Sequence, residues 1–387
     1  MSDVVVPWPD RKLAAVLADL ASAGFVGGCR HHLLSLLRED ASIYRGRSTT
    51  EAERLRAFIM AGIARVGPAD ELVPYILEEL ETGTSPYAVA AAARAARSAS
   101  SLPEETAELL AGAIDRIHHL DEFVHLDTYP APPGAGPTTA IGELIETLAV
   151  AGPSGHAAIK ALWDRAADGS YLSRNAMRLL EDALRKQEQP RACCAHSDEA
   201  PAAEPQPIAR SIADLRDIEL QNQDGIRASF GQIFAGRASL IVFFYTRCMN
   251  PNKCSRTISK LARVHDLIGQ RLAESAAMVA GITYDPEYDL PERLRRYGAD
   301  RGLSFGERCQ LLRSTGSFAT IRDRLQLGVG YSSSTVNRHR IELILVDPAG
   351  RIVDFNVRRL WDEYEMADIL VTIATNLAAR SGAACCM

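Results

Sequence analysis

The chain has 387 residues and a mass of 42.1 kDa, which is too long for one small domain and predicts two or three units. Hydrophobic residues make up 47% of it and charged residues 24%, so most of the chain can bury a core. The formal net charge of −6 argues against general nucleic-acid binding. No run approaches the ~20 apolar residues of a membrane span, and no signal peptide is recognisable, so the expected compartment is the cytoplasm.

The first part of the chain, residues 1–188, is predicted to be an all-α domain. Its amphipathic segments open with Ser, Thr or Pro, and several of them end in Gly. Pro68, Pro103 and Pro137 lie 35 and 34 residues apart. This period favours helical hairpins stacked into an α-solenoid of HEAT-like character. A compact helical bundle is the alternative, since it needs the same amphipathic helices.

Two segments are predicted to be flexible, and each carries a pair of adjacent cysteines. The linker at residues 189–212 is rich in Pro, Ala and polar residues and contains Cys193 and Cys194. The tail at residues 379–387 contains Cys385 and Cys386. Mobile vicinal thiols can exchange disulfides or transfer a soft metal, so these four cysteines are possible auxiliary thiols. The alternative is that they are tolerated surface cysteines.

The third part, residues 213–378, alternates between strands and helices. The runs SLIVFFYT and AAMVAGITYD are two buried strands, and an amphipathic helix follows each of them. The segment ELILVDPAGRIVDFNV reads as two strands around a Pro-Ala-Gly turn, and a last helix follows. This is the order of a thioredoxin-like α/β domain. It predicts a mostly parallel sheet that is covered by helices on both faces.

Two cysteines stand where the first buried strand ends and a helix begins. At this position, free backbone N–H groups and the helix dipole stabilise a thiolate, and Arg247 and Lys253 favour it further. Five residues separate Cys248 from Cys254, so the pair is not the C-x-x-C motif of a standard disulfide reductase. Cys309 is predicted to be an ordinary buried thiol.

Three motifs in the correct order resemble the Sco/SenC family of copper-binding proteins, over roughly residues 224–376. They are the Tyr-Thr-x-Cys segment that ends at Cys248, the segment ITYDPEYDLPERLRRYG, and His339 placed eight residues before Asp347. The resemblance implies that Cys248, Cys254 and His339 are metal ligands. Two sulfur atoms and one nitrogen atom suit Cu(I), and they suit Cu(II) or Zn less exclusively. The family's usual role in cytochrome oxidase assembly is not carried over, because no membrane anchor is recognisable.

Three functions remain open on the sequence alone. The first is a soluble copper-binding and thiol redox protein whose helical part binds a protein or peptide partner. The second is a metal-free thiol-disulfide oxidoreductase in which Cys248 and Cys254 are the catalytic thiols. The third is a redox or metal-dependent tailoring enzyme in which the helical repeat binds a peptide substrate. None of the three involves nucleic acid or a membrane span.

Overall fold

The structure is a computed structural model of the chain. It describes residues 34–66, 70–99, 102–121, 123–124, 126, 138–166, 172–187, 211–272, 276–332 and 335–384. These residues fall into two compact units. The helical unit is Met1–Glu204 together with Gly330–Arg338, and the C-terminal unit is Pro205–Val329 together with His339–Met387.

The described part of the helical unit is built from short helices, as predicted. They are α1 (Thr49–Val66), α2 (Val73–Thr82), α3 (Pro86–Arg97), α4 (Thr106–Ile117), α5 (Ala140–Leu148), α6 (Gly152–Ala166) and α7 (Arg174–Gln187). A short antiparallel pair, β1 (Phe123–Val124) and β2 (Thr138–Thr139), stands between α4 and α5.

The alanine-rich helix α3 forms the centre of the helical unit. Ser85 caps its first turn by accepting a hydrogen bond from the backbone N–H of Ala88. Most of its alanines are fully buried, and α1, α2 and α5 all pack against it. Alanine has no side chain beyond Cβ, so neighbouring helices can approach α3 closely on several sides. The helical class is therefore confirmed, while the HEAT-like solenoid stays a prediction.

The C-terminal unit contains a seven-stranded sheet in the order β11-β10-β5-β6-β7-β3-β4. Its strands are β3 (Glu219–Asn222), β4 (Arg227–Ser229), β5 (Ala238–Phe244), β6 (Ala277–Thr283), β7 (Cys309–Ser314), β10 (Glu342–Val346) and β11 (Ile352–Val357). A separate two-stranded ladder consists of β8 (Val329–Tyr331) and β9 (Val336–His339), and most of its residues belong to the segment Gly330–Arg338, which groups with the helical unit. The helices are α8 (Phe230–Phe234), α9 (Arg256–Gly269), α10 (Pro291–Ala299), α11 (Phe318–Leu325) and α12 (Glu363–Ala384).

The predicted thioredoxin-like order is present, but the sheet is mixed and the expectation of a mostly parallel sheet is wrong. Among the described strands of this sheet, only the β5–β6 and β6–β7 pairings are parallel. The hairpin of β3 and β4 adds an antiparallel edge beside β7. Because these two strands are short and carry polar residues, they lack the apolar pattern by which the sequence revealed β5 and β6.

The two central strands explain why the unit has one well-defined core. Every residue of β5 and of β6 is buried, so helices or loops cover both faces of the sheet at its centre. The rings of Phe244 on β5 and Tyr297 on α10 stack with their centroids 5.5 Å apart. The parallel pairing of Phe244 with Thr283 holds the carboxyl ends of β5 and β6 side by side, and the predicted cysteines follow the end of β5.

Among the residues that the structure describes, none of the helices is both long enough and apolar enough to cross a membrane. The cytoplasmic location stays a prediction.

Candidate metal centre

The five residues between the two cysteines form a compact turn. The side-chain oxygen of Asn250 accepts a hydrogen bond from the backbone N–H of Asn252 at 2.9 Å, as in an Asx turn. Pro251–Ser255 then form a single turn of π-helix that leads directly into α9. A π turn is wider than an α turn and is often found at functional sites. It places Cys254 in the interior, while Cys248 is only half-buried.

The sheet topology brings His339 to the same place. Strand β10 runs antiparallel to β5, with Leu343 opposite Val242. The start of β10 therefore lies beside the end of β5, and His339 is three residues before that start. Its Nε2 atom is 3.3 Å from Sγ of Cys248 and 3.5 Å from Sγ of Cys254. The three donor atoms all lie within 4.8 Å of one another.

The other ring nitrogen of His339 determines which atom can act as a ligand. Nδ1 is 3.0 Å from the backbone carbonyl oxygen of Arg340. A carbonyl oxygen can only accept a hydrogen bond, so Nδ1 must carry the proton. In the neutral imidazole, Nε2 then keeps its lone pair, and this lone pair is available on the side of the two sulfur atoms.

The two thiols are electrostatically different. The hydrogen bond from the Cys254 side chain lowers the pKa of Cys248 well below its usual value, and the His339 ring lowers it further. Burial raises the pKa of Cys254 well above its usual value, and the hydrogen bond and negative charge of Cys248 reinforce this rise. Of the two thiols, Cys248 is therefore the one that loses its proton more readily.

This difference predicts how the cysteines react with iodoacetamide in the reduced, folded chain. Because the pKa of Cys248 is lowered, we expect a larger share of it to be thiolate at neutral pH than for an ordinary thiol, so its alkylation should depend less on pH between 7 and 9. Cys254 and Cys309 should resist alkylation, since both are buried and burial raises the pKa of Cys309 to about 12. Peptide mass spectrometry over a pH series would measure all three rates. A Cys248 rate that still rises about tenfold per unit near pH 8, as for an ordinary thiol, would contradict the assignment.

Two carboxylates hold the loop that precedes Cys248. Asp289 is fully buried and accepts hydrogen bonds from the backbone N–H of Thr246 at 3.1 Å and from the hydroxyls of Thr246 and Thr283. Burial raises the pKa of Asp289 despite these bonds. Asp285 forms an ion pair with Arg247, which is the residue directly before Cys248. The segment ITYDPEYDLPERLRRYG contains both acids, but the sequence alone assigned a contact to neither of them.

A third buried carboxylate supports the chain after His339. Glu342 accepts hydrogen bonds from the hydroxyl of Tyr284 at 2.5 Å, from Nε of Arg340 at 2.8 Å and from the backbone N–H of Gly328 at 3.0 Å. The Tyr284 ring also lies 5.6 Å from the ring of His339, between centroids. The sequence reasoning missed this contact. The available signal was a single acid at the start of the otherwise apolar strand ELILV.

Of the other cysteines that the sequence singled out, only Cys309 lies among the described residues. Cys309 is buried on β7, as expected of an ordinary core thiol. Cys193, Cys194, Cys385 and Cys386 lie outside the described residues, so their auxiliary role stays a prediction. Within the part of the chain that the structure describes, Cys248, Cys254 and His339 are the one group of three such side chains close enough to share a metal ion.

The thioredoxin-like sheet brings together two cysteines and a histidine, which are side chains of the kind that thiol and soft-metal chemistry use. Residues 215–375 match the family model SCO1/SenC. The match covers about two fifths of the chain and does not extend to α1–α7. A comparison of the chain with curated proteins finds no match.

Several solved structures are similar to the same part of the chain. The copper-bound ScoI of Arabidopsis thaliana is 22% identical, with a TM-score of 0.33, over 41% of this chain and 96% of that one. A SCO1/SenC family lipoprotein from Bacillus anthracis is 18% identical, with a TM-score of 0.37, over 44% of this chain and 99% of that one. Yeast Sco1 is 23% identical, with a TM-score of 0.32, over 41% and 92%.

Proposed function

We propose that the C-terminal unit is a copper-binding domain with thiol redox chemistry, and that Cys248, Cys254 and His339 hold the metal. The observation that carries this proposal is the convergence of Nε2 of His339 with both sulfur atoms, at 3.3 Å and 3.5 Å. The three side chains come from two separate segments of the chain. Such a convergence is not needed for packing, because an apolar side chain would fill the same space without desolvating a polar ring.

The donor set fits a copper ion in both chemistry and size. Two sulfur atoms and an imidazole nitrogen are the soft and borderline ligands that suit copper, and Cu(I) above all. Three donors bound at about 2.0–2.3 Å to one ion stand roughly 3.5–4 Å apart in a trigonal arrangement. The donor atoms lie within 4.8 Å of one another, so small side-chain movements suffice. Copper held there would supply a one-electron couple.

A Cu(I) titration of the reduced full-length chain tests the proposal. We expect one tightly bound ion in competition with a chelator of known affinity, and X-ray absorption at the copper edge should give two sulfur neighbours and one nitrogen neighbour. His339→Ala should remove the nitrogen contribution and weaken binding by about tenfold or more, because the thiolates remain. This ligand set would be refuted if copper bound to the wild-type chain had only sulfur neighbours. It would also be refuted if the wild-type chain did not bind Cu(I) tightly.

Metal-free disulfide exchange is the second candidate, and the unequal thiols favour it. The Cys248 thiolate would attack one sulfur of a substrate disulfide, and the other substrate sulfur would leave and take up a proton. The Cys254 sulfur, after losing its proton, would then attack Cys248 in the mixed disulfide. The substrate leaves as a dithiol, and the chain keeps the Cys248–Cys254 disulfide. This activity should survive His339→Ala, whereas the three-ligand copper site should not.

We further propose that the helical unit binds a protein or peptide partner and that the protein acts in the cytoplasm. The helical unit supplies a rigid scaffold for such a partner. Co-purification of full-length protein from cells, compared with a variant that carries charge reversals on exposed residues of α6, would test this role. If the wild-type protein and the charge-reversal variant recover the same proteins, α6 is not the contact surface.

A further inference from the structure

The helical unit includes a short segment that is distant from its helices in sequence. Gly330–Arg338 groups with those helices, although the residues on either side of it, Val329 and His339, belong to the C-terminal unit. Strand β9 includes the end of this segment together with His339, and all four of its residues are buried. The chain therefore leaves the helical unit directly before the imidazole that is proposed as a ligand.

Asn337 attaches this segment to the rest of the helical unit. Its side-chain amide donates hydrogen bonds to the backbone carbonyl oxygens of Tyr44 at 2.8 Å and Arg47 at 3.0 Å, and only 2% of the residue is exposed. The opposite orientation of the amide would direct an oxygen at two carbonyl oxygens, so both N–H groups must face this turn. Its Oδ1 atom has no hydrogen-bond partner among the described residues, so the polar attachment of the side chain consists of these two bonds.

The turn that accepts these bonds is itself held in place. The backbone N–H of Arg47 donates to the carbonyl oxygen of Tyr44 at 3.1 Å, and the Tyr44 side chain is buried. On strand β8, the backbone of Gly330 also comes very close to the helical unit, since an added Cβ atom would lie 2.2 Å from the carbonyl oxygen of Glu39. Both strands of the ladder are thus attached, β8 at its glycine and β9 through its asparagine.

The position of His339 depends on what holds the chain on each side of it. After it, the backbone N–H of Arg340 donates to the carbonyl oxygen of Gly328 at 3.0 Å, and Lys253 donates to the carbonyl oxygen of His339 itself at 3.0 Å. Before it, Asn337 lies two residues away in the same strand, which is about 6.8 Å along the chain. An extended strand has little slack over this length, so a shift of Asn337 reaches the imidazole, and a ligand must be held to within about 0.5 Å.

We infer that Asn337 is a positioning residue, which anchors the strand that enters His339 and thereby keeps the imidazole within reach of Cys248 and Cys254. This inference deepens the proposed function, and its copper readout rests on that function. It also gives the helical unit a role at the metal centre, because loss of the Asn337 anchor would loosen the third ligand.

Cu(I) titration of full-length variants tests this role. Asn337→Leu keeps a similar side-chain volume but donates no hydrogen bond. We expect it to weaken Cu(I) binding about five- to tenfold, no more than His339→Ala does, and to reduce the nitrogen contribution in X-ray absorption. In a chain that already carries His339→Ala, the same change should alter the affinity by less than about twofold, because the ligand that it positions is gone.

Gly330→Ala is a second variant, and it leaves the Asn337 side chain intact. The new Cβ atom cannot fit against the backbone oxygen of Glu39, so β8 must shift from its place. We expect the same loss of Cu(I) affinity and the same dependence on His339. Gly316→Ala is the matched control, because an added Cβ atom there meets nothing within 4 Å, and it should leave the affinity unchanged.

Hydrogen exchange of the metal-free, full-length chain gives a readout that does not require copper. Peptides that span residues 336–342 should exchange about tenfold faster in Asn337→Leu and in Gly330→Ala than in the wild type, because the strand has lost an anchor. The same peptides should exchange at the wild-type rate in Gly316→Ala.

The outcomes separate the two proposals. An unchanged Cu(I) affinity in both variants, or an equal loss with and without His339, would overturn the role of Asn337 and leave the copper site standing. A wild-type chain that binds no copper would overturn the copper proposal. In that case faster exchange at residues 336–342 would still support the anchor at Asn337, and unchanged exchange would overturn it.

Discussion

Replacement of Cys254 by alanine is expected to lower the Cu(I) affinity of the reduced chain by about 100-fold or more. A structural zinc site with four ligands binds with roughly 10–16 kcal/mol, which is about 2.5–4 kcal/mol for each ligand. Each 1.4 kcal/mol corresponds to about a factor of ten in affinity. Cys254 is a buried sulfur donor, and alanine offers no donor in its place. The remaining thiolate and imidazole would leave a two-coordinate site.

Cys309→Ala is the matched control for this experiment. Both thiols are buried, at 1% and 0% exposure, so both changes remove a similar volume from the core and cost similar stability. Cys309 lies on β7 opposite Val279 and is not a member of the ligand cluster. Competition titration with a Cu(I) chelator should therefore leave Cys309→Ala at the wild-type affinity. Equal losses in both variants would mean that core stability, and not ligation, sets the affinity.

The site was predictable from the sequence because its cysteines mark a boundary between two strong patterns. The run SLIVFFYT is long and apolar enough to be recognised as a buried strand, and SRTISKL opens an amphipathic helix. The position of Cys248 and Cys254 between them followed directly. The prediction that His339 is a ligand depended on the family resemblance. Nothing within the segment around it distinguishes a ligand from an ordinary histidine at a strand end.

The geometry of the turn and its supports could not be predicted in the same way. Five residues between cysteines allow many backbone paths, and the π turn of Pro251–Ser255 is selected by tertiary contacts such as the Lys253 hydrogen bond to His339. Asp289 and Glu342 are polar residues whose burial depends on partners distant in sequence. Their hydrogen bonds become visible only when β6 and β10 are both placed beside β5.

The mixed sheet was missed for a related reason. β3 has alternating burial and only four residues, and β4 has three residues, so neither reaches the length at which an apolar period is reliable. Their place at the edge comes from pairing with β7 through Leu220 and Ser314. Edge strands make few core contacts, so their sequences show only a weak hydrophobic pattern.

Replacement of Arg56 by alanine is expected to destabilise the helical unit by about 3–5 kcal/mol, the usual cost of leaving a buried charge without its partner. Arg56 on α1 is fully buried and donates from Nη1 to the carbonyl oxygen of Leu37 at 2.6 Å. Its guanidinium lies 3.2 Å from the carboxylate of Glu78 and 3.5 Å from that of Glu39. These two acids are themselves buried, so alanine would leave two carboxylates in the interior without this cation.

Hydrogen exchange measured by mass spectrometry is the suitable readout, because it reports the opening of α1 and α2 separately from the C-terminal unit. Arg54→Ala is the matched control. Arg54 lies on the same helix but is exposed, so its loss should change the opening free energy by no more than about 0.5 kcal/mol.

The pH dependence of the Arg56→Ala defect provides a second check. Loss of the Arg56 cation favours the protonated form of the buried Glu39 and Glu78, so the folded variant would bind more protons than the unfolded chain. Its stability should therefore rise as the pH falls from 7 toward 5, and part of the defect should disappear. A loss of less than about 1 kcal/mol at pH 7 would mean that water reaches these acids in the variant. The ion cluster would then not be what holds α1 to α2.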